Sequence, residues 1–220
     1  MPVRKIPKNY LGVTGRYSSP KNAEMNGFES LLERDYMFHL DFDETVASFD
    51  EQPVRIQVAG VNNGYVPDVL VRYLPAKDTG EVRRPKLVEV KPTELLEKHA
   101  DKFAPKFAAA EAFAAEQGWD FYKVTEQDIR TPRLKNYKFL REYRNIKPDE
   151  ADLARIVSFV HDHGGTASTR NILNELAPTD EELLRWWPIV WHAILMKRVL
   201  CDWDTPFTDD VMLQLPEAVS

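Results

Sequence analysis

Two short apolar runs, each with charged residues at one end, place the strongest constraint on the fold of this chain. The first run, residues 67–71, begins with Pro and Asp68, and the second, residues 86–91, ends in Glu89, Val90 and Lys91. Side chains alternate faces along a strand, so Glu89 and Lys91 project to the same side. If the two runs pair in one sheet, Asp68 reaches the corner that carries Glu89. Two carboxylates and one ammonium then meet at the edge of a sheet.

These residue types suit the hydrolysis of a phosphodiester. Such a substrate is anionic, and its cleavage concentrates negative charge on the attacking and leaving oxygens. Magnesium held by one or two carboxylates offsets that charge and lowers the pKa of a bound water. The ammonium of Lys91 could orient or deprotonate the water, or stabilise the transition state. An ordinary surface strand that ends in Glu and Lys is the alternative, and the Pro-Asp pair upstream favours the metal site.

A third carboxylate is predicted from a segment upstream of both runs. Residues 26–36 predict a helix, because their apolar residues recur on one face at helical spacing. Glu29 borders this face at the predicted helix start, from where it could reach a metal site at the top of a sheet. An acid in the first turn is also favoured by the helix macrodipole alone.

Turn residues and helical periodicity predict the remaining elements of an α/β domain. Residues 45–59 are rich in strand-forming residues, and Asn62-Asn63-Gly64 predicts a turn before the Asp68 strand. A helix is predicted over residues 94–118, with a break or kink at Pro105. Residues 119–124 predict one more buried strand.

A second domain is predicted after a linker near residues 145–149, so that the two domains span residues 1–148 and 149–220. Three helices are predicted in the second domain, and residues 179–182 form a capping box that opens the third. Residues 199–203 and 210–215 alternate like a two-stranded wing, which completes a winged-helix pattern. The third helix carries acids and tryptophans instead of a basic reading face. We therefore expect this domain to dock protein partners, with core packing of the tryptophans as the alternative.

The net charge of −6 is distributed unevenly along the chain. Residues 149–220 hold 13 acidic and 5 basic residues, whereas residues 1–148 hold 22 acidic and 24 basic ones. Two basic segments, residues 1–21 and 130–147, are the best candidates for contacts with DNA phosphates. A solvated arm and an exposed helix face are the respective alternatives. The candidate DNA-binding residues are Arg4, Lys5, Lys8, Arg16, Lys21, Arg133, Lys135 and Lys138.

Length and composition favour an intracellular protein. A chain of 220 residues with 43% hydrophobic residues can build one large or two small domains. The sequence shows neither an apolar run long enough to span a bilayer nor a signal-peptide pattern. We therefore expect no membrane partner and a cytoplasmic location.

The order of these motifs resembles the TnsA-like endonuclease subunits of heteromeric Tns-type transposases, in the restriction-endonuclease-like PD-(D/E)xK superfamily. The resemblance covers most of the chain and is strongest over residues 27–92. It rests on Gly-Phe-Glu-Ser-Leu-Leu-Glu-Arg-Asp at residues 27–35, Phe-Asp-Glu-Gln-Pro at residues 49–53, Pro67-Asp68, and Glu-Val-Lys-Pro at residues 89–92. The PD and ExK elements alone are specific only to the superfamily, and the upstream stretches make the likeness selective.

The resemblance implies roles for individual residues. It assigns Glu29 as the helix-borne catalytic acid, Asp68 as the central metal-binding aspartate, Glu89 as the second metal ligand and Lys91 as the catalytic lysine. The main-chain carbonyl of Val90 is implied as a further oxygen ligand. Some members carry glutamine at the position of Glu89, and glutamate is the stronger ligand. The implied cofactor is Mg²⁺, with Mn²⁺ as a substitute.

The resemblance also implies an α/β, restriction-endonuclease-like N-terminal domain followed by a winged-helix docking domain. Such a subunit cleaves the non-transferred strand at the 5′ ends of a transposon, while a DDE-type, TnsB-like transposase cuts and joins the other strand. The implied partners are transposon-end DNA, this transposase and an AAA+, TnsC-like regulator, in a bacterial cytoplasm. Two alternatives stay open: a free-standing restriction or junction-resolving nuclease, and a non-catalytic DNA-binding adaptor with a vestigial metal site.

Overall fold

The computed structural model describes residues 13–216 of the chain. The chain divides into two compact units, Met1–Arg130 and Thr131–Ser220. This division falls earlier in the chain than the predicted boundary between residues 148 and 149. None of the helices within residues 13–216 combines the length and the apolar character that a bilayer crossing requires.

The first unit mixes strands and helices. Its elements are β1 (Gly15–Tyr17), β2 (Asn26–Phe28), α1 (Leu31–Phe42), β3 (Val46–Glu51), β4 (Ile56–Val58), β5 (Val61–Tyr65), β6 (Val69–Tyr73), β7 (Lys86–Val90), α2 (Thr93–Lys98), α3 (Ala100–Glu116), β8 (Asp120–Val124) and α4 (Glu126–Ile129). The strands β1 and β2 form one antiparallel pair, and β4 and β5 form another.

Four strands form the central sheet of this unit, in the order β3-β6-β7-β8. The strand β6 runs antiparallel to both β3 and β7, whereas β7 and β8 are parallel. Apolar residues of α3, among them Phe107 and Ala110, pack against Leu70 of β6 and Leu87 of β7. The helix α1 packs against β3 and β7. The unit is therefore mixed α/β, as predicted, and it fits a restriction-endonuclease-like domain.

The helix predicted over residues 26–36 begins too early. Residues Asn26–Phe28 form β2, which pairs with β1, and α1 begins at Leu31 with Ser30 as its N-cap. The hydroxyl of Ser30 accepts a hydrogen bond from the backbone N–H of Glu33, which fixes this start. Glu29 precedes the N-cap, so the prediction that it lies on the helix is wrong.

Two further local predictions are misplaced. Residues 62–64 lie within β5, and the chain turns instead at residues 59–60, where Gly60 adopts a φ of +75°. The helix predicted over residues 94–118 does break, but the break falls at His99, between α2 and α3. Pro105 lies inside α3.

The second unit is mainly helical. Its elements are α5 (Pro132–Arg141), α6 (Glu150–Asp162), β9 (Thr166–Ser168), α7 (Thr169–Leu176), α8 (Asp180–Leu195) and β10 (Met212–Gln214). The helices α5, α6 and α7 all pack against α8. The predicted capping box at the start of α8 is confirmed, with Thr179 and Glu182 bonded reciprocally. Trp186 and Trp191 of α8 are buried in the core.

A small sheet accompanies these helices, but its strands differ from the predicted hairpin. The main partner of β10 is β9, which was not predicted. From residues 199–203, Leu200 pairs with Gln214 through backbone hydrogen bonds of 2.7 and 2.8 Å. The second unit thus holds three consecutive helices, α6 to α8, with antiparallel pairing between its strand segments.

Packing within the second unit explains why α5 belongs to it. The side-chain amide of Asn136 donates to the carbonyls of Trp203 and Thr205, at 2.9 and 2.8 Å. The ring of Phe139 meets Trp191 edge to face, with 4.8 Å between centroids. The linker predicted near residues 145–149 left residues 130–147 in the first domain, whereas these contacts join α5 to the second unit.

Candidate active site

Asp68, Glu89 and Lys91 meet where β6 begins and β7 ends. The strands pair in register Val69 to Val88, and the backbone N–H of Asp68 donates to the carbonyl of Val88 at 3.0 Å. The ammonium nitrogen of Lys91 lies 2.9 Å from Asp68 Oδ2 and 3.1 Å from Glu89 Oε1. Antiparallel pairing therefore brings the three predicted side chains to one point.

The backbone of Val90 completes this group. Its N–H donates to Asp68 Oδ2 at 2.7 Å, and its carbonyl oxygen accepts from the Lys91 ammonium at 3.2 Å. The first contact fixes the Asp68 carboxylate against the edge of β7. As a result, oxygens from Asp68, Glu89 and Val90 surround a single positive charge.

Burial and the neighbouring charges shift the pKa values of the side chains in this cluster. The side chain of Glu89 is only 3% exposed. Burial, and then the negative charge of Asp68, raise the pKa of Glu89 to about 7, although Lys91 and a tyrosine hydroxyl lower it. Burial alone would lower the pKa of Lys91, but the carboxylates of Asp68 and Glu89 raise it above its ordinary value. The site holds more negative charge than one ammonium balances.

Glu33 on α1 adds a further carboxylate to the electrostatic field of this site. It is buried, and burial followed by the charge of Asp68 raises the pKa of Glu33 to about 7, while Lys91 lowers it. Its carboxylate is fixed locally, because it accepts from the backbone N–H of Glu29 at 2.8 Å and from the Ser30 hydroxyl at 2.9 Å. The pattern Ser30-x-x-Glu33 is a capping-box sequence that could have marked both the helix start and this acid.

Glu29 lies beside Glu33 and is linked to the Asp68 strand through Gln52. The side-chain amide of Gln52 donates to Glu29 Oε1 at 3.1 Å, and the Gln52 backbone N–H donates to the carbonyl of Asp68 at 2.8 Å. Gln52 is buried and holds a φ of +46°, in the left-handed region that non-glycine residues rarely adopt. Sequence reasoning gave Gln52 no separate role.

Tyr65 is a second neighbour of the site that the sequence did not reveal. Its hydroxyl donates to Glu89 Oε2 at 2.7 Å, and the ring is buried. Burial and the adjacent Glu89 carboxylate raise the pKa of Tyr65, so the hydroxyl keeps its proton at neutral pH. No local pattern predicted this contact, because it joins β5 to β7.

The oxygens at this site are of the kind that magnesium prefers. Within residues 13–216 no group of three or more His, Cys, Asp and Glu side chains is arranged as a metal cluster. Magnesium, however, is commonly held by one or two carboxylates, with water and phosphate completing its shell. Asp68 Oδ2, Glu89 Oε1 and the Val90 carbonyl meet this requirement. The Lys91 ammonium lies within 3.2 Å of all three oxygens.

The predicted DNA-binding residues have diverse surroundings. Arg4, Lys5 and Lys8 lie outside the described residues. Arg16 and Lys135 are exposed and Lys138 is half-buried. The Lys21 ammonium donates to the carbonyls of Leu40 and Asp43 at the end of α1. Arg133 pairs with Asp204, its Nε donating to Oδ1 at 2.8 Å.

Comparison with known proteins identifies the part of the chain that carries the cluster. Residues 43–126 match the family model described as TnsA-like endonuclease N terminal. The match contains the whole central sheet with Asp68, Glu89 and Lys91, whereas α1 and Glu33 precede it. No curated protein matches the chain. The resemblance seen in the sequence is thereby confirmed over residues 43–126, which are similar to the N-terminal domain of TnsA-like endonucleases.

Proposed function

We propose that this protein is a magnesium-dependent DNA endonuclease. The observation that carries the proposal is the convergence of three oxygens, from Asp68, Glu89 and Val90, on the Lys91 ammonium. The match of the surrounding domain to a TnsA-like endonuclease supports DNA as the substrate.

Asp68, Glu89 and the Val90 carbonyl would hold Mg²⁺, or Mn²⁺ in its place. When bound, the ion supplies charge compensation for the phosphate and lowers the pKa of a coordinated water. Asp68 and Glu89 keep their oxygens pointed at one position because Val90 N–H and Tyr65 O–H each hold one carboxylate. The excess of negative charge in the buried site favours a divalent cation there.

Lys91 and the acid on or near α1 complete the proposed machinery. The Lys91 ammonium places positive charge beside the metal-binding oxygens, where it stabilises the negative charge that develops on the phosphate. Glu33 is proposed as an additional acid next to Glu29, because Glu33 is buried and interacts electrostatically with both Asp68 and Lys91. Glu29 then acts beside it, through the contacts with Gln52 and Glu33.

We further propose that the protein works as a subunit of a heteromeric transposase in the bacterial cytoplasm. It would cleave the non-transferred strand at the 5′ ends of the element, next to a DDE-type, TnsB-like transposase. The second unit would act as a winged-helix docking domain for an AAA+, TnsC-like regulator. Support comes from its three consecutive helices, the antiparallel β9 and β10, and acidic residues at the start of α8.

Contacts with DNA phosphates are proposed for the basic residues of the N-terminal segment and α5. Arg16 and Lys135 are exposed and therefore the most accessible of those described. Lys21 and Arg133 would have to exchange their present partners, the carbonyls that end α1 and the carboxylate of Asp204, for phosphates. Phosphate contacts of this kind predict a binding affinity that falls steeply with salt.

Strand-specific nicking of a labelled transposon-end duplex tests this proposal. The protein is assayed with Mg²⁺ alone, with its candidate transposase partner, and with that partner after Asp68→Ala. We expect cleavage of the 5′ strand that requires both the partner and Asp68. Cleavage of arbitrary DNA by the protein alone would support the free-standing nuclease, and the absence of any Asp68-dependent cleavage would support the adaptor.

A further inference from the structure

Each oxygen of the Glu89 carboxylate has a different partner. Oε1 faces the Lys91 ammonium at 3.1 Å, on the side of Asp68. Oε2 accepts a hydrogen bond of 2.7 Å from the hydroxyl of Tyr65. Because Glu89 is buried, Oε2 without this donor would have no hydrogen bond from water or from protein, which is costly for a buried oxygen. The Tyr65 hydroxyl thus holds one oxygen of the Glu89 carboxylate, which leaves the other directed toward Lys91.

Tyr65 is well placed to hold this orientation. It ends β5 and pairs with Ile56 of β4, so its backbone is part of a strand. Its ring lies in the apolar core and meets Phe107 of α3 edge to face, with 6.3 Å between centroids. A hydroxyl carried by a packed ring on a paired strand has little freedom to move. The donor is therefore preorganised before any ligand binds.

We propose that Tyr65 is a positioning residue that fixes the Glu89 carboxylate, so that Oε1 is directed to the same point as Asp68 Oδ2. The inference rests on the proposed metal-dependent nuclease function and adds a residue outside the PD and ExK elements. Partners that orient a ligating carboxylate typically contribute 10–100-fold to metal affinity or activity. Tyr65 acts through Glu89 and is not expected to touch the phosphodiester.

Binding of Mn²⁺ to the full-length protein tests the inference without relying on cleavage. Electron paramagnetic resonance titration gives the Mn²⁺ dissociation constant for the wild type and for Tyr65→Phe, which keeps the ring and removes the donor. We expect the dissociation constant to rise about 10-fold or more in the variant. The Mg²⁺ concentration needed for half-maximal cleavage should rise in parallel.

Tyr17→Phe is the matched control. Tyr17 is also buried, and its hydroxyl donates to a carboxylate, Asp41 Oδ2, at 2.9 Å, but this pair lies outside the proposed site. We expect a similar fall in thermal midpoint for both variants and a change in Mn²⁺ affinity only for Tyr65→Phe. Equal Mn²⁺ affinities for the two variants would overturn the positioning role.

A double-mutant cycle identifies the path of the effect. In a Glu89→Ala background, Tyr65→Phe should change Mn²⁺ affinity far less than in the wild type, because the side chain that Tyr65 orients is gone. Full additivity of the two substitutions would overturn the inference even if Tyr65→Phe lowers stability.

Wild-type protein that neither binds Mn²⁺ nor shows Asp68-dependent cleavage would refute the proposed function itself. Asp68-dependent cleavage with unchanged Tyr65→Phe binding would refute the role of Tyr65 alone.

Discussion

At the scale of single residues, the site is a buried set of carboxylates with one ammonium. Asp68 and Glu89 contact Lys91 directly, and Glu33 adds its charge from α1. Like charges in a buried site oppose ionisation, so some folding free energy is sacrificed to keep these acids together. Such an arrangement is understandable if a cation neutralises the acids during function.

This imbalance predicts the pH dependence of stability in metal-free protein. The pKa values of Glu33 and Glu89 rise from 4.5 to about 7 on folding. Between these pH values the folded state therefore binds more protons than the unfolded state, and stability falls as pH rises through the window. We expect the urea midpoint, measured with a chelator present, to be lower at pH 8 than at pH 5.

Glu89→Gln provides the control for that measurement. The variant removes one of the two carboxyls whose pKa is raised, so its urea midpoint should change less between pH 5 and pH 8. The loss of unfolding free energy over this range should be smaller than in the wild type by on the order of 1–3 kcal/mol. An identical pH profile in the variant and the wild type would show that Glu89 does not titrate as described.

The residues at the centre of the site were predictable, whereas their neighbours were not. Alternation along a strand placed Glu89 and Lys91 on one face, and pairing of two apolar runs brought Asp68 to them. The contact of Tyr65 with Glu89 and the left-handed backbone of Gln52 depend on tertiary packing. No local spacing in the sequence encodes them.

At the scale of elements, the start of α1 places Glu33 in the first turn of the helix and Glu29 before its N-cap. The apolar spacing of residues 26–36 suggested an earlier helix, but the pairing of β2 with β1 overrides that periodicity. Ser30 then caps the helix, and its hydroxyl contacts both the N–H and the carboxylate of Glu33. The cap and the candidate acid are therefore coupled.

Ser30→Ala is expected to lower both stability and cleavage. Loss of an N-cap hydroxyl destabilises a helix by about 1 kcal/mol, and here it also removes one of the two hydrogen bonds that hold the Glu33 carboxylate. Ser168→Ala is the matched control, because Ser168 caps α7 by accepting from the Asn171 N–H at 3.2 Å. Both variants should lower the thermal midpoint, and only Ser30→Ala should reduce the cleavage rate at saturating Mg²⁺. Equal cleavage rates for Ser30→Ala and Ser168→Ala would show that the Ser30 cap does not influence the active site.

Other elements show why local signals succeed or fail. The capping box before α8 was recognised because its side-chain bonds are local in sequence. The turn expected at residues 62–64 failed because those residues extend β5, where Gly64 holds a φ of +63°. A Cβ added at Gly64 would lie 2.5 Å from the carbonyl oxygen of Ile56. Only glycine therefore allows β4 and β5 to approach this closely. The short strand β9 lacked any alternating pattern long enough to detect.

At the scale of the whole molecule, the chain divides at Arg130 and Thr131. The apolar residues Leu134, Tyr137 and Leu140 of α5 are buried, and Tyr137 contacts Trp203 of the second unit, with 5.5 Å between ring centroids. A fragment of residues 1–148 would carry this helix without its partners in α8. Its apolar face would then be exposed.

Two fragments test the division. We expect residues 1–130 to give a soluble, cooperatively unfolding fragment that binds little of a hydrophobic dye. Residues 1–148 should bind more dye and aggregate more readily, because α5 is unpaired. A fragment of residues 1–148 that unfolds at a higher temperature than residues 1–130 would instead place α5 with the first unit.

The most direct test of the account compares Mg²⁺-dependent cleavage of a transposon-end duplex by the wild type and Asp68→Asn, each with the same transposase partner. The substitution keeps the side-chain shape and removes the charge that contacts Lys91 and Val90 N–H. We predict a loss of roughly 1,000-fold in cleavage rate, since several kcal/mol of transition-state stabilisation depend on the metal site. Cleavage by Asp68→Asn at the wild-type rate would contradict the assignment of this cluster as the active site.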